Sequence, residues 1–145
     1  MIVVADTSGL LALFNRSDPK HFAVRRAADS ASALVVSPMA LTEVHHVATV
    51  RANRKVADRI LGSLAERVAS TRVVLAQVDA AQLETAIAVR ATYDSLDLDL
   101  VDAVAVALAS EFDTDAILTL DRRDFRVLRP LNGYPAFRLF PDDCD

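Results

Sequence analysis

Four carboxylates sit where strand and helix alternate: Asp6 in ADTSG, Glu43 in LTEV, Asp102 in LVDA and Asp121 in TLDRRDF. Brought into one pocket, they would repel one another. A pair about 4 Å apart costs roughly 4 kcal/mol at an effective dielectric of about 20. Protonation or a bound cation relieves such repulsion. An all-oxygen donor set favours Mg²⁺ or Mn²⁺ over Zn²⁺. A hard cation held this way suits hydrolysis of a phosphodiester bond, with one ion or with two. A plainer reading exists for each residue. Asp6 and Asp102 suit helix N-caps, Glu43 a solvated helix face and Asp121 a turn.

Joint placement decides between these readings, so the elements matter. The stretch Leu96–Phe125 organises the chain: a helix with Leu100, Val104, Ala107 and Leu108 at helical spacing, then a short apolar run, Ala116–Leu120, then an acidic turn leading into arginines. Ile2–Ala5 is a buried-strand pattern, and Asp6-Thr7-Ser8-Gly9 opens a helix continued by Leu10–Phe14. Asp18-Pro19 predicts an N-cap and a first-turn proline for a helix to about Ala31, with Phe22, Val24 and Ala28 inward. Ala33–Val36 is a second strand. Ser37-Pro38 opens a helix to about Arg54 that carries Glu43 in its second turn. Lys55 to about Ser70 is amphipathic through Val56, Ile60, Leu61, Leu64 and Val68. Thr71–Leu75 is a third strand, and Asp79 with Gln82 forms a capping box for a helix to about Tyr93. A turn at Asn132-Gly133 precedes a last strand, Phe137–Phe140.

This alternation predicts a parallel sheet covered on both faces, joined by right-handed crossovers. Sites in such sheets form beyond the carboxyl ends of the strands, where strand order reverses. Asp6, Glu43, Asp102 and Asp121 all belong at that end.

Composition bounds the function. At 145 residues the chain is expected to be one domain, residues 1–145. Apolar residues make up 52%, which excludes a disordered chain. No apolar run approaches the roughly 20 residues of a membrane span. The start, MIVVADTSG, lacks the charged opening of a signal peptide, so a cytoplasmic location with no membrane association is expected. Cys144 is the only cysteine, excluding an internal disulfide, and reads as an inert surface thiol. The net charge of −4 argues against bulk wrapping of nucleic acid, so any such contact needs a local basic patch.

The segments IVVADTSGLLALF, VVSPMALTEV, LDLDLVDAVAVALA and ILTLDRRDFRVLRP, with the closing FRLFP, resemble the PIN-domain ribonucleases. Among these the VapC-type toxins of bacterial toxin–antitoxin pairs are most similar. The resemblance covers nearly the whole chain. It implies a three-layer α/β/α sandwich with a central parallel sheet. It also implies Mg²⁺- or Mn²⁺-dependent endonucleolytic cleavage of RNA, such as tRNA or rRNA. Asp6, Glu43, Asp102 and Asp121 match the family's catalytic, metal-binding acids. A homodimer and a VapB-type antitoxin are the partners it implies.

Around these acids, Thr7, Ser8 and Thr119 are expected to hydrogen-bond and orient the carboxylates, or else to serve turns and caps. Arg122 and Arg123, with Arg126 and Arg129 beyond, suit a phosphate track for RNA. Asp97 and Asp99 read as a solvated acidic turn before the helix, and Asp124 as a supporting or exposed acid. His45 and His46 read as packing or surface residues. Two rivals remain. A phosphoacceptor receiver domain would want an Asp pair at the first strand's end and a late lysine, but the chain has Ala5-Asp6 and no lysine after Lys55. The other is a catalytically silent PIN fold that binds RNA or protein.

Overall fold

Short runs of Val, Ile, Leu and Ala form five strands: β1 (Ile2–Ala5), β2 (Ala33–Val36), β3 (Val73–Leu75), β4 (Ala116–Leu118) and β5 (Arg138–Phe140). The computed structural model describes residues 1–143; Cys144 lies outside the described residues. All strand pairings are parallel, and the order is β3-β2-β1-β4-β5. The order reverses between β1 and β4, whose carboxyl ends therefore flank the crevice in which ligands of such sheets sit.

Alternation along the strands sorts the core into two layers. Val3, Ala5, Leu34, Val36, Ala116, Leu118 and Phe140 face one side. They pack on α1 (Thr7–Phe14), α2 (His21–Ser30), α3 (Pro38–Arg51) and α4 (Arg54–Ala69). Val4, Val35, Ile117 and Leu139 face the other side. They pack on α5 (Ala80–Thr92), α6 (Leu100–Glu111) and Phe125 of the one-turn α7 (Arg122–Phe125). The result is the expected three-layer α/β/α sandwich. Burial makes α6 the central helix, with Asp102 to Ala109 all buried. Each large apolar side chain so buried contributes roughly 1.5–3 kcal/mol.

Caps explain several boundaries. Ser37 Oγ accepts from Ala40 N at 3.0 Å, with Pro38 in the first turn of α3. Asn53 Oδ1 accepts from Val56 N at 2.9 Å and starts α4 after a two-residue break, so α3 ends at Arg51 rather than near Arg54. The Asp79–Gln82 capping box of α5 is formed. Asp18-Pro19 is different: Asp18 Oδ1 accepts from Lys20 N at 2.8 Å, making a turn, and α2 begins only at His21.

Phe22 also departs from expectation, being 68% exposed. Phe22 and Val24 lie two residues apart, which in a helix places them on nearly opposite faces. His21, Val24 and Ala28 share the inner face instead, and His21 Nδ1 lies 2.9 Å from Ala12 O. At the far end of β4, Arg138 holds buried Asp115 through bonds of 2.7–3.0 Å.

Gly9 fixes the distance between α1 and β4. A Cβ there would stand 2.3 Å from Leu118 O and 2.8 Å from Leu118 C, both backbone atoms. Gly9→Ala should therefore push the start of α1 off the sheet. The expected cost is about 1–3 kcal/mol, read as a thermal midpoint lower by roughly 3–10 °C. An unchanged midpoint would show that the contact is not restraining.

Candidate metal centre

Asp6 is the first residue beyond β1. Its N–H donates to Leu118 O at 2.9 Å, extending the β1–β4 pairing by one step. It occupies the N-cap position of α1, yet its side chain makes no capping bond. Asp6 Oδ2 instead accepts from Thr119 Oγ1 at 2.9 Å and from Ser8 Oγ at 3.1 Å. Thr119 Oγ1 also accepts from Asp121 N at 2.9 Å, and Ser8 Oγ from Leu120 N at 2.9 Å. Two hydroxyls thus join the ends of β1 and β4 and fix the orientation of the Asp6 carboxyl, which is 4% exposed.

Asp102 faces this carboxyl from the first turn of α6. The cap of α6 is Asp99, whose Oδ1 accepts from Val101 N at 3.4 Å, so Asp102 has no capping role. Burial pushes the Asp102 carboxyl up to about 8, reinforced by the charges of Asp6 and Asp121, a hydrogen bond with Asp6 and the charge of Asp99. Burial likewise raises Asp6, against the hydrogen bonds it accepts. In the pair, Asp102 holds a proton that Asp6 accepts.

The remaining acids extend the group in two directions. Carboxylate oxygens of Asp102, Asp121 and Asp124 lie within 4.8 Å of one another. Asp124 comes from α7, whose single turn turns it the same way as Asp121. On the other flank, Glu43 of α3 is raised by partial burial and then by the charges of Asp99 and Asp6. Thr7 Oγ1 is buried without a full hydrogen bond and stands beside Glu43, where it favours the ionised carboxyl. Among the described residues, no lysine or arginine forms an ion pair with Asp6, Glu43 or Asp102.

The structure therefore brings Asp6, Glu43, Asp102 and Asp121 to one end of the sheet, with Asp102 central. Ser8 and Thr119 contact Asp6 directly, and Thr7 adjoins Glu43. Asp124 joins the group, and Asp99 acts on it electrostatically while capping α6. Asp97 does not join: it sits in left-handed backbone, φ 51°, and lines a separate cleft with Arg90 and Asp94. The arginines after the site are mostly engaged. Arg122 pairs with Asp142, Arg126 makes two bonds of 2.7 and 2.8 Å to Asp143, and Arg129 donates to Pro135 O at 2.5 Å. Arg123 is exposed and makes no ion pair among the described residues.

The fit to a hard divalent cation is good on this geometry. The donors are all oxygens, no basic side chain forms an ion pair with them among the described residues, and a buried hydroxyl is left without a full partner. Asp102, Asp121 and Asp124 are close enough together to share one ion, with Asp6 adjoining.

Comparison with known proteins agrees with the fold. A family model described as the PIN domain matches residues 3–129. Ribonuclease VapC26 of Mycobacterium tuberculosis is 39% identical over 132 residues, which span 90% of this chain and 95% of that protein. The crystal structure of Mycobacterium tuberculosis VapC20, described as a sarcin-ricin-loop-cleaving toxin, aligns with a TM-score of 0.73 at 25% identity. It covers 85% of this chain and 92% of that one. VapBC2 from Rickettsia felis, solved bound to a DNA fragment from its promoter, aligns with a TM-score of 0.68 at 13% identity over 96% and 97% of the two chains. At that identity the likeness is one of fold.

Proposed function

The chain belongs to the PIN-domain family, and from that premise we propose that it is a divalent-cation-dependent endoribonuclease, the toxin of a VapBC-type pair. The observation that carries the reading is Asp102: a buried carboxyl held up near 8 among other acids, with no ion pair to a basic side chain among the described residues. A fold has no structural need for such a group, whereas a cation site does.

Asp6, Asp102, Asp121 and Asp124 would hold Mg²⁺ or Mn²⁺. Such an ion, when bound, stabilises the charge that develops on the phosphate and makes a water more acidic. The chain's own residues do the rest. Ser8 and Thr119 keep Asp6 in one orientation, as hydrogen-bond partners of metal-binding carboxylates do. Glu43, half-buried at the rim with its affinity for protons raised, is suited to accept a proton from the attacking water at its carboxyl oxygens. Asp102 must give up its proton when the cation enters, which links activity to pH.

The substrate class is a structured RNA, tRNA or rRNA, in keeping with the sarcin-ricin-loop activity in the VapC20 description. The partners are a VapB-type antitoxin and a second copy of the chain. Residues 1–145 act as one PIN-like domain. No helix among the described residues is long and apolar enough to cross a membrane, and the cytoplasm, where tRNA and rRNA are found, is the proposed location.

The test is incubation of a mixed tRNA and rRNA pool with the purified protein, in Mn²⁺ or Mg²⁺, followed by sequencing of the new RNA ends. Discrete cleavage is expected, abolished by EDTA and by Asp6→Ala in a protein that still melts cooperatively. Cleavage that survives either treatment would overturn the proposal. RNA binding with no cleavage under any cation would favour the silent binding module instead.

A further inference from the structure

An acidic site needs positive charge nearby to hold an RNA strand, and of the arginines that follow Asp121 only Arg123 stands exposed and without an ion pair or backbone bond among the described residues. Arg122 and Arg126 are tied to Asp142 and Asp143. The α3–α4 hairpin offers another source. An open pocket of about 500 Å³ is lined by Thr42, His45, His46, Thr49 and Arg54. Lys55, next to Arg54 in α4, is exposed, whereas Arg51 turns to a separate pocket with Leu11, Phe14 and Asp18. Neither Arg51, Arg54 nor Lys55 forms an ion pair among the described residues, and neither does His46. The one nearby pairing is His45 Nε2 with Asp58 Oδ1 at 2.9 Å.

Position links this pocket to the acids. Thr42, His45, His46 and Thr49 are spaced as one stripe of α3. Glu43, on the same helix, faces Asp6 and Asp99. His46 is one turn beyond Glu43, a rise of about 4.5 Å, and Thr49 lies about 9 Å beyond it. Successive phosphates of a stacked strand rise by about 3.4 Å, so the pocket is within a few nucleotides of the acids.

We propose that the Thr42–His46–Arg54 pocket is an RNA-contact site that takes a backbone phosphate a few nucleotides from the bond being cut. Arg54 supplies a forked cationic donor suited to phosphate, and His46 a ring donor or a stacking face. The site contributes to affinity and register and does not touch the reacting atoms. The inference rests on the ribonuclease reading, and its test separates the two.

Arg54→Glu and His46→Ala are compared with the unchanged chain. Glu at the first position of α4 suits the helix dipole, so folding should be preserved, and a thermal melt checks this. With an RNA that the unchanged chain cleaves, Arg54→Glu should raise KM about five- to tenfold while kcat stays within about twofold. Binding of a fluorescein-labelled single-stranded RNA in EDTA should weaken similarly. Its salt dependence should flatten by about 0.7 in log–log slope, the loss of one phosphate contact. Arg54→Lys should recover part of the affinity. Unchanged KM and an unchanged salt slope in the variants would overturn the inference while leaving the ribonuclease intact. So would unchanged RNA binding with lost association to an acidic protein partner, which would make the pocket a protein interface. If the unchanged chain cleaves nothing, the ribonuclease reading fails, and the labelled-RNA measurement still decides the contact site. No binding by the unchanged chain overturns it, and binding that Arg54→Glu weakens upholds it.

Discussion

Asp102→Asn is expected to abolish RNA cleavage and, in the same molecule, to raise the thermal midpoint of the cation-free protein at pH 8. The two effects have one cause. Asp102 is 8% exposed, is hydrogen-bonded to Asp6 and feels the charges of Asp6, Asp121 and Asp99. Ionising it in the absence of a cation is costly, and asparagine removes that cost while keeping the shape and a donor for Asp6. An amide cannot supply the anionic oxygens that the proposed cation site takes from Asp102. The loss of rate should reach about three orders of magnitude, equivalent to about 4 kcal/mol of transition-state stabilisation. The gain in stability should be on the order of 1–2 kcal/mol, a midpoint higher by roughly 3–6 °C. At pH 5 the gain should be much smaller, and it should vanish only below about pH 4, where Asp102 is protonated in the unfolded chain as well. Initial cleavage rates in Mn²⁺, set beside melts in EDTA at both pH values, provide the measurement. A variant that is both inactive and less stable at pH 8 would mean that Asp102 serves the fold and is not held there for a cation.

The same residue shows what the sequence could and could not convey. Strand and helix alternation places Asp6, Glu43, Asp102 and Asp121 at one end of a parallel sheet, because a switch point depends only on element order. Spacing cannot distinguish a cap from a ligand. Asp6 does stand at an N-cap position, but its carboxyl turns to Thr119, whose place beside it depends on β1 pairing with β4. Asp102 is freed for the site because Asp99 takes the cap, a difference of three residues that propensity does not resolve. Asp124 was legible only as an acid near Asp121. Its inward turn follows from residues Arg122–Phe125 closing a single helical turn, anchored by buried Phe125. Arg122 and Arg123 read alike in sequence. Asp142, twenty residues later, engages only Arg122. The resemblance to PIN-domain ribonucleases added the identity of the chemistry, which no count of carboxylates supplies.

Between pH 5 and pH 8 the cation-free protein should lose stability, and Mn²⁺ should restore more of it at pH 8 than at pH 5. Asp102 is raised from an ordinary value of 3.8 to about 8, and Asp6 and Glu43 are raised in the same direction. A raised carboxyl binds its proton more tightly folded than unfolded. The folded state therefore carries more protons than the unfolded state between about pH 4 and pH 8, and stability falls with pH across that window. Asp143 is lowered by Arg126, so its contribution is lost only below the ordinary carboxylate range, outside the window. A cation competes with the protons it displaces, so its binding tightens as pH rises. At about a hundredfold excess over its dissociation constant, it stabilises by about 2.7 kcal/mol, whereas at pH 5 the same concentration should do much less. The measurement is the thermal midpoint against pH in EDTA and in Mn²⁺. Curves that diverge toward high pH are expected. Parallel curves would show that cation and protons do not share a site, and a metal-free midpoint that climbs from pH 5 to pH 8 would show that the acids are not held in the arrangement described.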